Sequence, residues 1–266
     1  MMRDGLLNVV QTEVSNKMTK RSATTACLLV TVALLSGCPR NVDKPQPQPA
    51  PSAIVPTPPT NQSEVVCDTS DLDTCFARAM AWLKGDGVPQ SFGRAGSLFE
   101  YLCNQKHLGA CHQLGLLFYT GQSGALDHSA ASKAFLMACS GDYAASCSNS
   151  ALLLLAGDGV PVDIGEAARM ADRGCRLGDA KSCGVLGGLH YDGHGVVKDM
   201  PRAAELYEKA CAGGEGAACG RLGMMLQKGE GIAKDLDRAA ENYERACKAG
   251  MAGGCALLAE LKKERR

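Results

Sequence analysis

The sequence predicts an all-α fold, a right-handed αα solenoid of 36-residue repeats, each stapled by a C-x7-C disulfide. Three observations predict it. Cys67, Cys75, Cys103, Cys111, Cys139, Cys147, Cys175, Cys183, Cys211, Cys219, Cys247 and Cys255 form six C-x7-C pairs, each starting 36 residues after the last. Small, apolar, glycine and capping residues recur on the same period without insertions, the mark of a stacked array. Aromatic residues are only 5%, while alanine, leucine and glycine are abundant, which suits closely packed helices better than sheets.

The first sixty residues read as targeting and tether rather than fold. Lys20 and Arg21 precede an apolar stretch, Ala26–Leu35, too short to span a bilayer comfortably. Residues 1–37 are therefore expected to be a signal peptide with its start at Met18. The stretch ends at Leu35-Ser36-Gly37-Cys38, which resembles the lipobox of bacterial lipoproteins. That resemblance implies cleavage before Cys38 and a diacylglycerol on its thiol. The alternative is an ordinary secretory signal with a chance cysteine. In the lipoprotein reading Cys27 is removed, Cys38 is lipidated, and an even twelve cysteines remain. Residues 38–63 are rich in Pro and Gln and read as an extended, semi-stiff tether.

Residues 64–251 are expected to form five αα repeats and residues 252–266 a capping helix. Ala79, Gly115, Ala151, Gly187, Gly223 and Ala259 occupy one small-residue column, read as a place where two helix backbones approach closely. Leu114, Leu186, Leu222 and Leu258 stand immediately before it as a core column. Gly85, Gly121, Gly157, Gly193 and Gly229 are placed to end a first helix, helix A, in a left-handed cap. Six residues on, Ser91, Asp127, Asp163, Asp199 and Asp235 can cap a second, helix B, and Asp163 with Glu166 makes a capping-box pattern. Helix B then carries small pairs such as Ala203-Ala204 and an aromatic at Phe99, Phe135, Tyr207 and Tyr243.

Fourteen cysteines are too many for a reducing compartment unless they bind metal. Zinc wants four ligands, usually with closer cysteine pairs and histidines, and two sulfurs with seven residues between them do not assemble that set. A disulfide from the end of helix B to the start of the next helix A fits the spacing. No metal or other cofactor is expected. With 28 basic and 28 acidic residues the net charge is zero, so nothing draws the chain to nucleic acid.

The L-G column, the G-x-G turn leading to Asp, the Ala-Ala pair and the aromatic resemble the Sel-like repeat, a relative of the tetratricopeptide repeat. The added C-x7-C staple is similar to the Helicobacter cysteine-rich (Hcp) proteins. For that branch the resemblance implies β-lactam binding or a β-lactamase; for other members it implies an adaptor that binds peptides or assembles complexes. The sequence lacks the Ser-x-x-Lys, Ser-Asp-Asn and Lys-Thr-Gly set of a serine β-lactamase. Of the histidines, His190 and His194 lie closest together, but the glycines around His194 place it in a turn.

By the same resemblance helix A lines the inner face of the superhelix. That places His112 and Gln113, Asn149, Arg221, Met80, Leu116, Leu152 and Met224, Tyr119 and Tyr191, and Lys84, Asp192 and Lys228 along a groove. These columns vary in chemistry between repeats while the packing columns do not. The expected function is an exported, lipid-anchored scaffold at the outer membrane, facing the periplasm. Its expected partner is a peptide or protein segment, with peptidoglycan-related partners included.

Overall fold

The computed structural model describes residues 71–265. The signal peptide, the lipobox with Cys38, the Pro-rich tether and Cys67 lie outside the described residues.

Eleven helices of 13 residues each follow one another: α1 Leu72–Lys84, α2 Phe92–Asn104, α3 Leu108–Thr120, α4 His128–Ser140, α5 Ala144–Ala156, α6 Ile164–Arg176, α7 Ala180–Asp192, α8 Met200–Ala212, α9 Gly216–Lys228, α10 Leu236–Lys248 and α11 Ala252–Glu264. Odd-numbered helices are the expected helix A and even-numbered ones helix B. Each helix packs against its predecessor and successor, and α5 also touches α7, so the chain is an αα solenoid.

The period of the fold follows from its caps. Gly85, Gly121, Gly157, Gly193 and Gly229 end the first five odd helices with φ between 69° and 80°. Side chains of Ser91, Asp127, Asp163, Asp199 and Asp235 accept backbone N–H bonds at the starts of the even helices from α2 to α10. The capping box forms only by half. Asp163 accepts from Glu166 N–H at 2.8 Å, but the Glu166 carboxylate turns to Arg169, and Asp163 N–H donates instead to the Leu154 carbonyl at 3.1 Å.

The second glycine of each G-x-G turn joins one repeat to the one before. A Cβ on Gly231 would stand 2.5 Å from the Met200 carbonyl carbon, and one on Gly195 would stand 2.7 Å from Ile164 Cγ2. Met200 and Ile164 are the first residues of the even helices one repeat earlier. Gly87, in the first described repeat, has nothing within 4 Å.

Between repeats the chain turns tightly. Each even helix runs one residue past its cysteine and each odd helix starts three residues before its own, so only three of the seven intervening residues are non-helical. The middle one is left-handed: Gly178, Gly214 and Gly250 in later turns, but Lys106 (φ 65°) and Asp142 (φ 71°) in earlier ones. This brings the two cysteines of each pair to Cα–Cα separations of 4.5–4.7 Å, and disulfides join Cys103–Cys111, Cys139–Cys147, Cys175–Cys183, Cys211–Cys219 and Cys247–Cys255.

The small-residue column meets an aromatic ring in addition to the expected backbone. A Cβ on Gly115 would stand 2.6 Å from Phe135, one on Gly187 3.0 Å from Tyr207, and one on Gly223 2.6 Å from Tyr243. The glycines thus receive the aromatic ring on the following helix. Gly187 and Gly223 also approach that helix's backbone, where their Cβ would stand 3.4 Å from the Ala203 carbonyl oxygen and 3.3 Å from that of Ala239. In the third repeat the aromatic is replaced by Ala171, and the column residue is Ala151; both are fully buried in one cluster. Two further expectations fail in α11, where Ala259 is exposed and Leu258 only half-buried. No even helix follows α11 among the described residues to cover either position.

Candidate functional site

The odd helices bury one face and leave a stripe that is half-open. Met80, His112, Gln113, Leu116, Tyr119, Asn149, Leu152, Tyr191, Arg221 and Met224 are all half-buried, and Lys84, Asp192 and Lys228 are exposed. The placement follows from the register: the core leucines Leu114, Leu186 and Leu222 point inward, so residues one before or two after lie at the edge of the core.

The residues of this stripe are not equally free. Met80, Leu116 and Met224 pack against the cores of their own repeats, so they form a floor rather than projecting anchors. The His112 ring turns toward the next repeat. Its Nδ1 lies 2.8 Å from Ser146 Oγ, and the ring rests beside Phe135 and Tyr143 at centroid distances of 5.7 and 4.9 Å. Burial holds its pKa below the ordinary histidine value, against a smaller upward pull from Asp179. His112 is therefore a packing residue at a repeat junction. Its partner Ser146 has no exposed surface, so the Ser–His pair offers no accessible nucleophile.

Other members form a polar cluster toward the C-terminal repeats. Tyr191 Oη donates to Glu230 Oε2 at 2.7 Å, and Lys228 Nζ lies 3.7 Å from Glu230 Oε1. Among the described residues Arg221 has no ion pair, and its charge acts on the phenols of Tyr191 and Tyr207. Tyr119 packs beside His128, which meets Asp158 of the next repeat at 2.6 Å. His190 sits in the last turn of α7, its Nδ1 3.1 Å from the Val197 carbonyl oxygen, whereas His194 follows the Gly193 cap and is exposed. Among the described residues no three His, Cys, Asp or Glu side chains gather as a metal site, and no helix is long and apolar enough to cross a membrane.

Sequence reasoning missed the ties between repeats. Arg173 bonds the Ser140 carbonyl at 2.8 Å and Asp142 at 2.9 Å, and Arg245 bonds the Cys211 carbonyl at 2.9 Å. Both guanidinium groups reach the carbonyl end of the preceding even helix, where a cation is favoured. Their 72-residue spacing, two periods, was the available signal.

Helix pairs, a stapled junction and a half-open stripe of varied side chains define a repeat scaffold of the tetratricopeptide-like kind. The Sel1 repeat model matches residues 75–107, 109–137, 144–179, 180–215 and 216–251, and the chain belongs to the Sel1 repeat family. Sel1 repeats are scaffolds that mediate protein–protein interaction. Among solved structures, a Sel1 repeat protein from Oxalobacter formigenes is 25% identical with a TM-score of 0.67, over 71% of this chain and 75% of that one. The protective antigen c5321 of uropathogenic Escherichia coli, described as displaying an SLR fold, also gives a TM-score of 0.67 at 22% identity, over 72% of this chain and 41% of that one. Helicobacter pylori cysteine rich protein B is 26% identical over 47% of this chain and 90% of that one, with a TM-score of 0.41. No curated protein matches the chain.

Proposed function

We propose that this chain is an exported scaffold, held at a bacterial membrane by a lipid on Cys38, that binds a peptide or protein segment along the stripe of its odd helices. One observation carries the binding reading. Side chains at the same register on stacked helices change from amide (Gln113, Asn149) through Val185 to guanidinium (Arg221), and all stay half-open, while the packing register of Ala79, Gly115, Ala151, Gly187 and Gly223 remains small. Helices satisfy their own backbone groups, so affinity must come from such side chains. The disulfides support export, since they persist in oxidising compartments.

A photo-crosslinking residue placed at Gln113 or Lys228, in cells from which the envelope is then fractionated, tests the reading. Controls carry it at the exposed Lys133 and Glu241 of even helices. A discrete adduct from stripe positions alone is the expected result. Equal labelling from the even helices would move the binding surface elsewhere. Labelling with a palmitate analogue tests the anchor: the wild type should incorporate it and Cys38→Ala should not.

A further inference from the structure

Resting on the stripe as the binding surface, we propose that a notch at Gly188, which the Tyr207 hydroxyl faces, binds a carboxylate group of the partner segment with the help of Arg221 of the next repeat. The notch arises from one missing side chain. Gly188 falls in the floor register, where neighbouring repeats carry Met80, Leu116, Leu152 and Met224. A Cβ on Gly188 would have a single neighbour within 4 Å, the Tyr207 hydroxyl at 3.5 Å. The Tyr207 ring is 4% exposed and is seated against Gly187, so it is fixed and aimed into that space.

Comparison with the next repeat shows why this hydroxyl is available. There Tyr243 Oη donates to Gln227 Oε1 at 2.7 Å. The residue one period before Gln227 is Tyr191, whose hydroxyl turns away to Glu230. Tyr207 thus lacks the partner that its counterpart has, and the space its hydroxyl faces is the one that the missing Gly188 side chain leaves. Desolvation pushes the Tyr207 phenol up to about 12, so at neutral pH it is a hydrogen-bond donor.

The Tyr207 phenol faces the opening, and the charge of Arg221, which has no ion pair among the described residues, acts on that phenol. That combination suits a carboxylate. The flanking acids narrow the choice. Glu230 is engaged by Tyr191 and Lys228, and Asp192 is exposed at the end of α7. The Asp192 charge acts on the Tyr207 phenol beside the notch, which disfavours a doubly charged anion more than a singly charged one, so a single carboxylate fits better than phosphate. It can come from a chain terminus or from an acidic side chain.

The test uses the disulfide-bonded, isotope-labelled chain and follows the Gly188 amide and Arg221 Nε–H by nuclear magnetic resonance. The probes are N-acetylalanine, N-acetylglutamate α-amide, N-acetylalaninamide and inorganic phosphate. Saturable shifts are expected with the two carboxylates and not with the neutral amide, with phosphate weaker than either. The tighter carboxylate identifies the source as chain end or side chain. Arg221→Gln and Gly188→Met should each weaken binding about tenfold or more, and Tyr207→Phe several-fold, with melting temperatures unchanged. Methionine at 188 is expected to fold because Met224 occupies the same register. Shifts that persist in Gly188→Met, or that the neutral amide reproduces, would overturn the notch. If the stripe crosslinks a partner while carboxylates leave Gly188 unmoved, the notch falls and the groove stands. If carboxylates bind but crosslinks map to the even helices, the groove fails and the notch remains as a small-anion site.

Discussion

At the residue scale, single atoms decide which glycines matter. Gly220 and Gly223 lie one turn apart on α9, yet a Cβ at Gly220 would meet nothing nearer than 3.9 Å, while one at Gly223 would stand 2.6 Å from the Tyr243 ring. Gly220→Ala should therefore stabilise by about 0.5–1 kcal/mol through helix propensity. Gly223→Leu should cost roughly 1–3 kcal/mol or more by overpacking, read as opposite shifts in denaturant midpoint. The sequence showed that this column must be small but not which ring it meets. Its partner ring lies twenty residues downstream, and a one-dimensional pattern does not give the rotation of one helix about another. The contact of His112 with Ser146 was not legible for the same reason, since it depends on the stagger between repeats. The burial of His112 has a pH consequence. The folded pKa is depressed, so on acidification the unfolded chain takes up the proton first. The stability of neutral His112 is full above the ordinary histidine value of 6.5 and is lost as pH falls below it toward the folded value. Melting curves from pH 7.5 to 5 should fall less steeply for His112→Gln than for the wild type; parallel curves would contradict the assignment.

At the scale of the element, turn and junction carry most of the specification, and most of it was legible. Glycine caps and aspartate caps appear where a left-handed residue and an N–H acceptor are physically required. The second glycine of G-x-G was legible as a turn residue but not as a contact. Gly231→Ala should be more destabilising than Gly87→Ala. Both residues have φ near 70°, but only Gly231 is pressed on the preceding repeat. Equal losses in melting temperature would mean that backbone strain alone sets the cost. Each described disulfide closes a sequence separation of 8, for which chain entropy gives about 2–3 kcal/mol. Replacing Cys211 and Cys219 together by serine should lower unfolding free energy by about that amount, with the helices retained by circular dichroism. Peptide mapping without reductant should recover the local pairs.

At the scale of the whole molecule, the repeats form clusters that share helices with the next repeat. The first buried cluster takes Ala134 and Ala138 from α4, and Leu206 of α8 closes a cluster begun by Ala151 of α5. Stability should spread from neighbour to neighbour in such a stack. The period made this architecture readable at once. The binding stripe was readable only in outline, because periodicity marks the register that faces out and not what each side chain does there. Gly188 shows the difference: in the sequence it is one more small helical residue, and its meaning comes from the Tyr207 hydroxyl beneath it. The central claim is that the odd-helix stripe holds a partner while the register beside it holds the fold. The most direct test measures affinity for the crosslinked partner together with thermal melting for Asn149→Ala and Arg221→Ala. Each should weaken binding by roughly 1–3 kcal/mol, with melting within a degree or two of wild type. Unchanged affinity in both variants would contradict the account and place the partner on another surface.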